Sequence, residues 1–389
     1  MHSPLRWLSS YKIADLNHGC TPPPPTLMSS PPSLSLSTAL SNAVDFISSS
    51  LPSSLSAMTI SPYYLLLLIP VIPLSLILLL FLIARPRSTR IPIKGRHVFI
   101  TGGSSGIGLS LARQAAAEGA RVSILARNSK RLEEARETIR LATGVEVAIF
   151  SADVRDADAV ARAVEEAGPI DVLICNHGVF LPLELEKQEI EEVKFMMDIN
   201  VMGTFHLIKA ALPGMKRRTR QSGVAASIAI VSSQAGQVGI YGYAAYSASK
   251  FALRGLSESL QHEVFADNIY VSLVFPPDTD TPGFDEEKKR RPEITNLIAG
   301  SSGGMKADDV AKISLNGIKS GRFMIPCNLE GAMVAVATAG LSPQSSCVTA
   351  FVEVTCAGFI RLAALFFQWN WFNIIEKWHA KNSGKQKSK

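Results

Sequence analysis

Apolar residues fall into three patterns along this chain. From Tyr63 to Ala84 they run unbroken, with no charge among them. From Arg96 to about Pro326 they come in short runs alternating with amphipathic stretches, the signature of strands and helices in turn. From Gly331 to Phe367 they dominate again, interrupted by Glu353 and Arg361. In the middle region the spacing predicts strands at His97–Ile100, Val122–Ala126, Val145–Phe150, Val172–Cys175, Ile228–Val231 and Tyr270–Phe275. Helices are predicted over 106–119, 130–143, 157–167 and most of 190–213, with another that carries Tyr246 and Lys250 and runs on to His262 and Glu263. Strands that read as continuous apolar runs, separated by helices, predict an α/β fold: a doubly wound parallel sheet of the Rossmann type, with ligands beyond the carboxyl ends of its strands.

The flanks predict membrane contact. The segment 63–84 is long enough, at ~1.5 Å per residue, to cross a ~30 Å hydrocarbon core, and its Pro70 and Pro73 are tolerable in lipid. Arg85, Arg87, Arg90, Lys94 and Arg96 follow at once. The positive-inside rule then makes 63–84 a transmembrane anchor with the rest of the chain in the cytosol. Residues 1–57 are rich in Ser and Pro and poor in charge, a disordered extension or a stretch preceding a true start at Met58. The apolar segment 331–378 is expected to associate with the membrane as a re-entrant or interfacial pair of helices, with two full crossings as the second option, because Glu353 and Arg361 are costly at mid-bilayer. Trp369, Trp371 and Trp378 resemble an interfacial belt, and 379–389 is a basic tail.

The formal net charge of +6 is concentrated in those flanks, leaving a mildly acidic centre and no basic footprint for nucleic acid. The five cysteines lack metal-ligand or disulfide spacing, so no metal site is expected and they read as small core residues in a reducing compartment.

Thr101–Gly108 lies between the first strand and the first helix with the spacing Gly-x-x-x-Gly-x-Gly. Such a turn lets backbone approach a pyrophosphate while a helix N-terminus supplies N–H donors, so Gly102, Ser104, Ser105, Gly106, Ile107 and Gly108 are candidate dinucleotide contacts. The second strand ends at Arg127, with Arg131 one turn on, where an acid would suit a ribose hydroxyl. Arginine suits a 2′-phosphate, which predicts NADPH. Asp153 is placed for the adenine edge and Asn176 for the nucleotide crevice, with His177 a structural member of its turn.

Tyr246 and Lys250 lie four residues apart on one helix face. A nearby cation can lower a phenol of pKa ~10 by roughly one to three in pKa, making a tuned acid–base group. Ser232 and Ser233 end the strand before it, and either could hold a carbonyl against the phenol.

From Lys94 to about Pro326 the chain resembles the short-chain dehydrogenase/reductase family. The resemblance rests on Thr101–Gly108, Asp153, Asn176–Gly178, Asn200, Ser233, Tyr246, Lys250 and the segment Phe275–Gly283. It implies Tyr246 as the acid, Lys250 lowering its pKa and holding the nicotinamide ribose, and Ser233 polarising the carbonyl, with Ser232 in that place if the register differs by one. Asn200 would hold the water and backbone geometry of a proton relay. Asn176-His177-Gly178 and Phe275-Pro-Pro depart from the usual pattern, the latter affecting the nicotinamide contacts. The stretch Ser232–Leu256 looks like a branch that reduces 3-ketosphinganine to sphinganine with NADPH at the endoplasmic-reticulum membrane, facing the cytosol. That implies a long-chain sphingoid ketone and the lipid bilayer as partners, and the family's habit of pairing through long helices leaves a homo-oligomer open. Steroid or 3-ketoacyl reduction, and a non-catalytic NADP-binding scaffold, are the alternatives. Asp278–Met305 falls where the family carries its substrate lid. There Asp285–Arg291 reads as a solvated helix face, and Ile294, Leu297 and Ile298 as either an alkyl groove or core.

Overall fold

The computed structural model describes residues 62–84, 89–299, 304–344 and 346–386, so the expectations for 1–57 and for the last lysines lie outside the described residues. The centre is a seven-stranded, wholly parallel sheet built from β1 (His97–Thr101), β2 (Arg121–Ala126), β3 (Ala148–Ser151), β4 (Val172–Cys175), β5 (Ala226–Val231), β6 (Ile269–Phe275) and β9 (Met324–Pro326). Their order is β3-β2-β1-β4-β5-β6-β9, which reverses direction between β1 and β4 and opens a crevice there. Successive residues serve opposite faces. Ile100 packs with Ile124, Leu111 and Leu315 on one side, while Phe99 packs with Leu173, Leu207 and Leu260 on the other. The first layer comes from α2 (Gly106–Ala117), α3 (Ser129–Thr143) and α10 (Ala307–Lys319). The second comes from α4 (Ala157–Ala167), α6 (Gly203–Ser222) and α7 (Ala244–Val264). Cys175 and Cys327 are buried core residues.

At the amino end of the sheet a fully buried carboxylate, Asp171, is enclosed by charge. Arg96 Nη2 lies 2.9 Å from it, the Arg218 guanidinium bonds both oxygens, and the His97 backbone N–H donates to Oδ2 at 2.9 Å. The His97 ring meets Pro169 O and Ser123 Oγ, each at 2.8 Å. This cluster lies at the opposite end of the strands from the crevice and ties β1 and β4 to α6.

The expected elements are present, with differences in their bounds and some additions. The helix expected to stop near Pro213 runs through it to Ser222. It is preceded by α5 (Ile190–Met197) and a single π turn, Asp198–Met202. Two short strands, β7 (Thr279–Asp280) and β8 (Met305–Lys306), pair in parallel and close the base of an excursion that carries α8 (Pro282–Arg290) and α9 (Glu293–Ala299). Within it Ile294 and Ile298 are core residues and Leu297 is exposed, so the alkyl-groove option does not hold for the first two.

The flanks are helical. Residues Pro62–Ala84 form α1, which contains Pro70 and Pro73. After α11 (Leu329–Ala337), a single 40-residue helix, α12, spans Cys347–Gln386, where a re-entrant or interfacial pair was expected. Glu353 and Arg361 break the hydropathy but are good helix formers, so the backbone continues through them. Its Phe359, Leu362, Phe366 and Trp369 side chains are exposed, and it packs against α9 and α11. By length and composition it is long and apolar enough to cross a membrane.

Candidate active site

The turn between β1 and α2 is shaped by what a side chain would strike. Gly102 and Gly106 have φ of +64° and +54°, open to glycine at no cost. A Cβ on Gly108 would sit 2.2 Å from Gly102 O and 2.6 Å from Asn176 Nδ2. Asn176 fastens this turn from β4, its Nδ2 donating to Thr101 O at 3.2 Å. A groove of about 440 Å³ follows, lined by all but one of the cofactor residues expected in the first half of the domain: Gly102, Ser104–Ile107, Arg127, Arg131, Asp153 and Asn176. Gly108 alone stands behind the wall, as the spacer that lets α2 approach the turn. A glycine cradle at a helix N-terminus, with two exposed arginines at the far end, fits a dinucleotide carrying a 2′-phosphate.

Asp153 is present in the groove, but its carboxylate is held by Arg155, which donates through Nη2 at 2.7 Å and keeps its pKa below the usual carboxylate range. His177 is a structural residue. Its Nδ1 lies 2.7 Å from Thr101 Oγ1, and burial pushes its pKa down to about 3, so it is neutral.

The Gly108 geometry makes an expected result plain. Gly108→Ala must displace backbone, not a flexible side-chain tip, and should cost about 1–3 kcal/mol of stability together with a weakened affinity for the dinucleotide. Thermal melting and NADPH fluorescence titration check this, and wild-type values in both would refute the close-approach account.

A second pocket, about 220 Å³, is continuous with the groove, since Ile107, Asn176, Gly178, Val179, Thr281 and Gly283 line both. Into it point the residues of β5 and α7. The helix face Leu253, Ser257, Leu260 and Val264 is buried against the sheet, and that seats the N-terminal turns of α7 over the strand ends. Tyr246, Lys250, Ser232 and Ser233 all line the pocket. The two serines differ in use. Ser232 Oγ donates to Lys250 O at 3.0 Å and so braces α7 on β5. Ser233 accepts from Ala235 N at 3.2 Å and bears on the Tyr246 phenol.

Lys250 reaches the Tyr246 ring but not its hydroxyl through a hydrogen bond. Its Nζ donates to Val231 O at 3.1 Å and lies 5.7 Å from the Tyr246 ring centroid. Burial pushes the ammonium down to about 8. Burial, then the Glu287 charge, raise the Tyr246 phenol above its ordinary value, and Ser233 pulls against them. The phenol is therefore protonated across neutral pH, as an acid must be before it donates. Phe180 fixes its ring at a centroid distance of 4.2 Å.

Asn200 sits in the π turn, fully buried. Its Nδ2 donates to Val179 O and Ser249 Oγ, each at 3.0 Å, and its Oδ1 accepts from Val179 N at 2.8 Å. Both amide protons are thereby engaged, and the side chain clamps the Gly178–Val179 loop to α7. The extra residue of the π turn aims it there.

Three pocket residues were not anticipated. Glu287 and Arg291 come from the segment Asp285–Arg291 read as a solvated face, and that reading is corrected for them; Phe284 lies just before it. Asp285, Glu286, Lys288, Lys289 and Arg290 are exposed as expected, but positions 284, 287 and 291 share the opposite face and turn inward. The apolar Phe284 and the Pro-capped start at Thr281-Pro282 were the available signal.

Residues 96–292 match the family model described as short chain dehydrogenase. The 3-dehydrosphinganine reductase TSC10B of Arabidopsis thaliana is 59% identical over 315 residues, covering 81% of this chain and 95% of its own length. The 3-ketodihydrosphingosine reductase of Bos taurus is 35% identical over 314 residues, covering 77% of this chain and 92% of its own. A solved short-chain dehydrogenase from Sphingobium yanoikuyae in complex with NADPH is 26% identical with a TM-score of 0.55, over 63% of this chain and 93% of that one.

Proposed function

The chain belongs to the short-chain dehydrogenase/reductase family, and from that premise we propose that it reduces 3-ketosphinganine, also called 3-dehydrosphinganine, to sphinganine in sphingolipid synthesis. It is an NADP-dependent oxidoreductase acting on a ketone, with NADPH as cofactor. The single observation that carries the reading is the continuity of a pocket holding Ser233, Tyr246 and Lys250 with a groove built for a dinucleotide phosphate.

NADPH, when bound, supplies the hydride that reduces the carbonyl carbon. The chain's residues do the rest. Gly102, Ser104, Ser105, Gly106 and Ile107, at the α2 N-terminus, would receive the pyrophosphate, and Arg127 with Arg131 the 2′-phosphate. Ser233 donates to the carbonyl oxygen and orients it, while Tyr246 delivers its phenolic proton to that oxygen as negative charge develops there. Lys250, anchored on Val231 O beside Gly178, holds a positive charge near the phenolate left behind and faces the nicotinamide ribose. Asn200 keeps the Gly178–Val179 loop in register with Lys250, and a water-holding part in proton resupply belongs to the same reading. Ser232 takes no part in the chemistry in this account and serves as a brace.

In this reading 94–326 is the catalytic domain, and two helices attach it to a bilayer. The segment 63–84 serves as the N-terminal anchor, with the basic cluster after it on the cytosolic side. In α12, Trp369 and Trp371 lie about one hydrocarbon thickness (~33 Å at 1.5 Å per residue) beyond Cys347, the interval expected of a span ending in an aromatic belt. The catalytic domain then faces the cytosol at the endoplasmic reticulum, where a long-chain ketone partitions.

The test is turnover by the full chain in microsomes supplied with NADPH and, separately, 3-ketosphinganine, a steroid ketone and a 3-ketoacyl thioester. The sphingoid ketone should be reduced with by far the highest kcat/KM. A faster steroid or thioester would replace the substrate assignment, and no turnover of any ketone would favour a binding scaffold.

A further inference from the structure

The inward face of α8 leaves one carboxyl without a partner. Arg291 is neutralised, its Nη1 and Nη2 reaching Asp278 at 2.8 and 3.0 Å, with its guanidinium over the Tyr243 and Phe284 rings. Glu287, one turn earlier, has no such partner. Among the described residues its carboxylate makes no hydrogen bond or ion pair, although it lines the same pocket as Ser233, Tyr246 and Lys250. Burial, and then Asp278, push its pKa up to about 8, with Arg291 and Lys250 pulling the other way. At that value the half-buried carboxyl is mostly protonated near neutral pH while it lacks a partner, and an ammonium brought to it draws it into the ionised form.

The proposed substrate carries such a cation. In a 2-amino-3-ketone the ammonium sits on the carbon next to the carbonyl, so a carbonyl held by Ser233 and Tyr246 presents the ammonium to the same small pocket. We propose that Glu287 is the substrate-selecting residue: its carboxylate accepts hydrogen bonds from the 2-ammonium of the sphingoid ketone, while Arg291 and Asp278 hold α8 in place. This deepens the function proposed above and rests on it. A steroid ketone or a 3-ketoacyl thioester offers no cation at that position and would leave the Glu287 carboxyl without a partner.

The test compares wild type with Glu287→Gln, which keeps the side chain's shape and removes its charge, in the full chain with NADPH. The substrates are 3-ketosphinganine and the long-chain 3-ketone lacking the amine. A hydrogen bond to a charged group is typically worth about 10- to 100-fold in discrimination. Wild type should prefer the amino ketone by about that factor. In Glu287→Gln the preference should collapse through KM, with kcat on the amino ketone much less affected. An unchanged preference ratio overturns the proposal. Binding of sphinganine, the amino alcohol, to the same two proteins judges Glu287 without turnover. A Kd weakened about tenfold in the variant supports it, and equal Kd values overturn it. If neither ketone is turned over while sphinganine still distinguishes the two proteins, the reductase reading fails and the ammonium site stands.

Discussion

Tyr246→Phe should bind NADPH with wild-type affinity and reduce 3-ketosphinganine about 10²- to 10⁴-fold more slowly, the usual worth of a positioned acid. The substitution removes one oxygen from a ring held by Phe180 and Tyr243, so the pocket walls persist. The phosphate cradle and Arg127 are untouched, because they lie in the adjoining groove. What is lost is the phenol that α7's first turn brings into the pocket with Ser233 and Lys250. Tyr243 also lines the pocket, but burial raises its phenol and Arg291 lies over its ring, so it is not placed to substitute. Single-turnover rates and cofactor fluorescence separate the two effects. Retention of kcat within about tenfold would remove Tyr246 from the chemistry.

Asp171→Asn should destabilise the domain by about 3 kcal/mol, towards the low end for a broken buried ion pair because Arg218 is partly exposed. For a domain of this size that is a fall in melting temperature of about 6–12 °C. Arg96 would remain largely buried without its counter-charge, and the His97 N–H would lose a charged acceptor. The pH dependence follows from two groups. Burial alone would raise the Asp171 carboxyl, but Arg218, the His97 N–H and Arg96 outweigh it and hold it below the usual range. Its contribution is complete above the unfolded carboxylate pKa of ~4 and disappears as pH falls through the lower folded value. His97, kept neutral chiefly by burial, also favours the fold above its unfolded value and loses that advantage on acidification. The gap between wild type and variant should therefore narrow below about pH 4. Chemical denaturation across pH would show it, and a constant gap would mean that Asp171 contributes through packing alone.

Much of the fold was legible because parallel strands buried on both faces must be apolar runs, and because glycines mark where backbone comes close to backbone. Thr101–Gly108 carries both signals, and so does the strand ending at Ser232 and Ser233. What escaped notice had weaker local signatures. A three-residue strand, Met324–Pro326, has too little length to announce itself, and its place in the sheet comes from pairing with β6. Pro213 is tolerated inside α6, where a helix end had been expected. The Tyr246–Lys250 spacing was read correctly as one helix face, but four bonds of lysine stem carried the ammonium to Val231 O, a choice only the packed strand end dictates. Glu287 was the hardest case. In Asp285–Arg291 seven charged residues stand in a row, and nothing local distinguishes the two that face inward from the five that face water.

The short pairing of Thr279 with Met305 and Asp280 with Lys306 has an architectural result. The polypeptide leaves the sheet and re-enters beside its own point of departure, so α8 and α9 are carried between two paired strands, with Thr295 Oγ1 bonded to Tyr241 O on the domain beneath. Lengthening such a loop costs only about 0.6 kcal/mol per doubling. The reaction is thus carried by a rigid frame of strands and one helix, and the preference for a reactant by a replaceable cassette clipped onto it. New specificities can be tried in the cassette while the frame stays as it is.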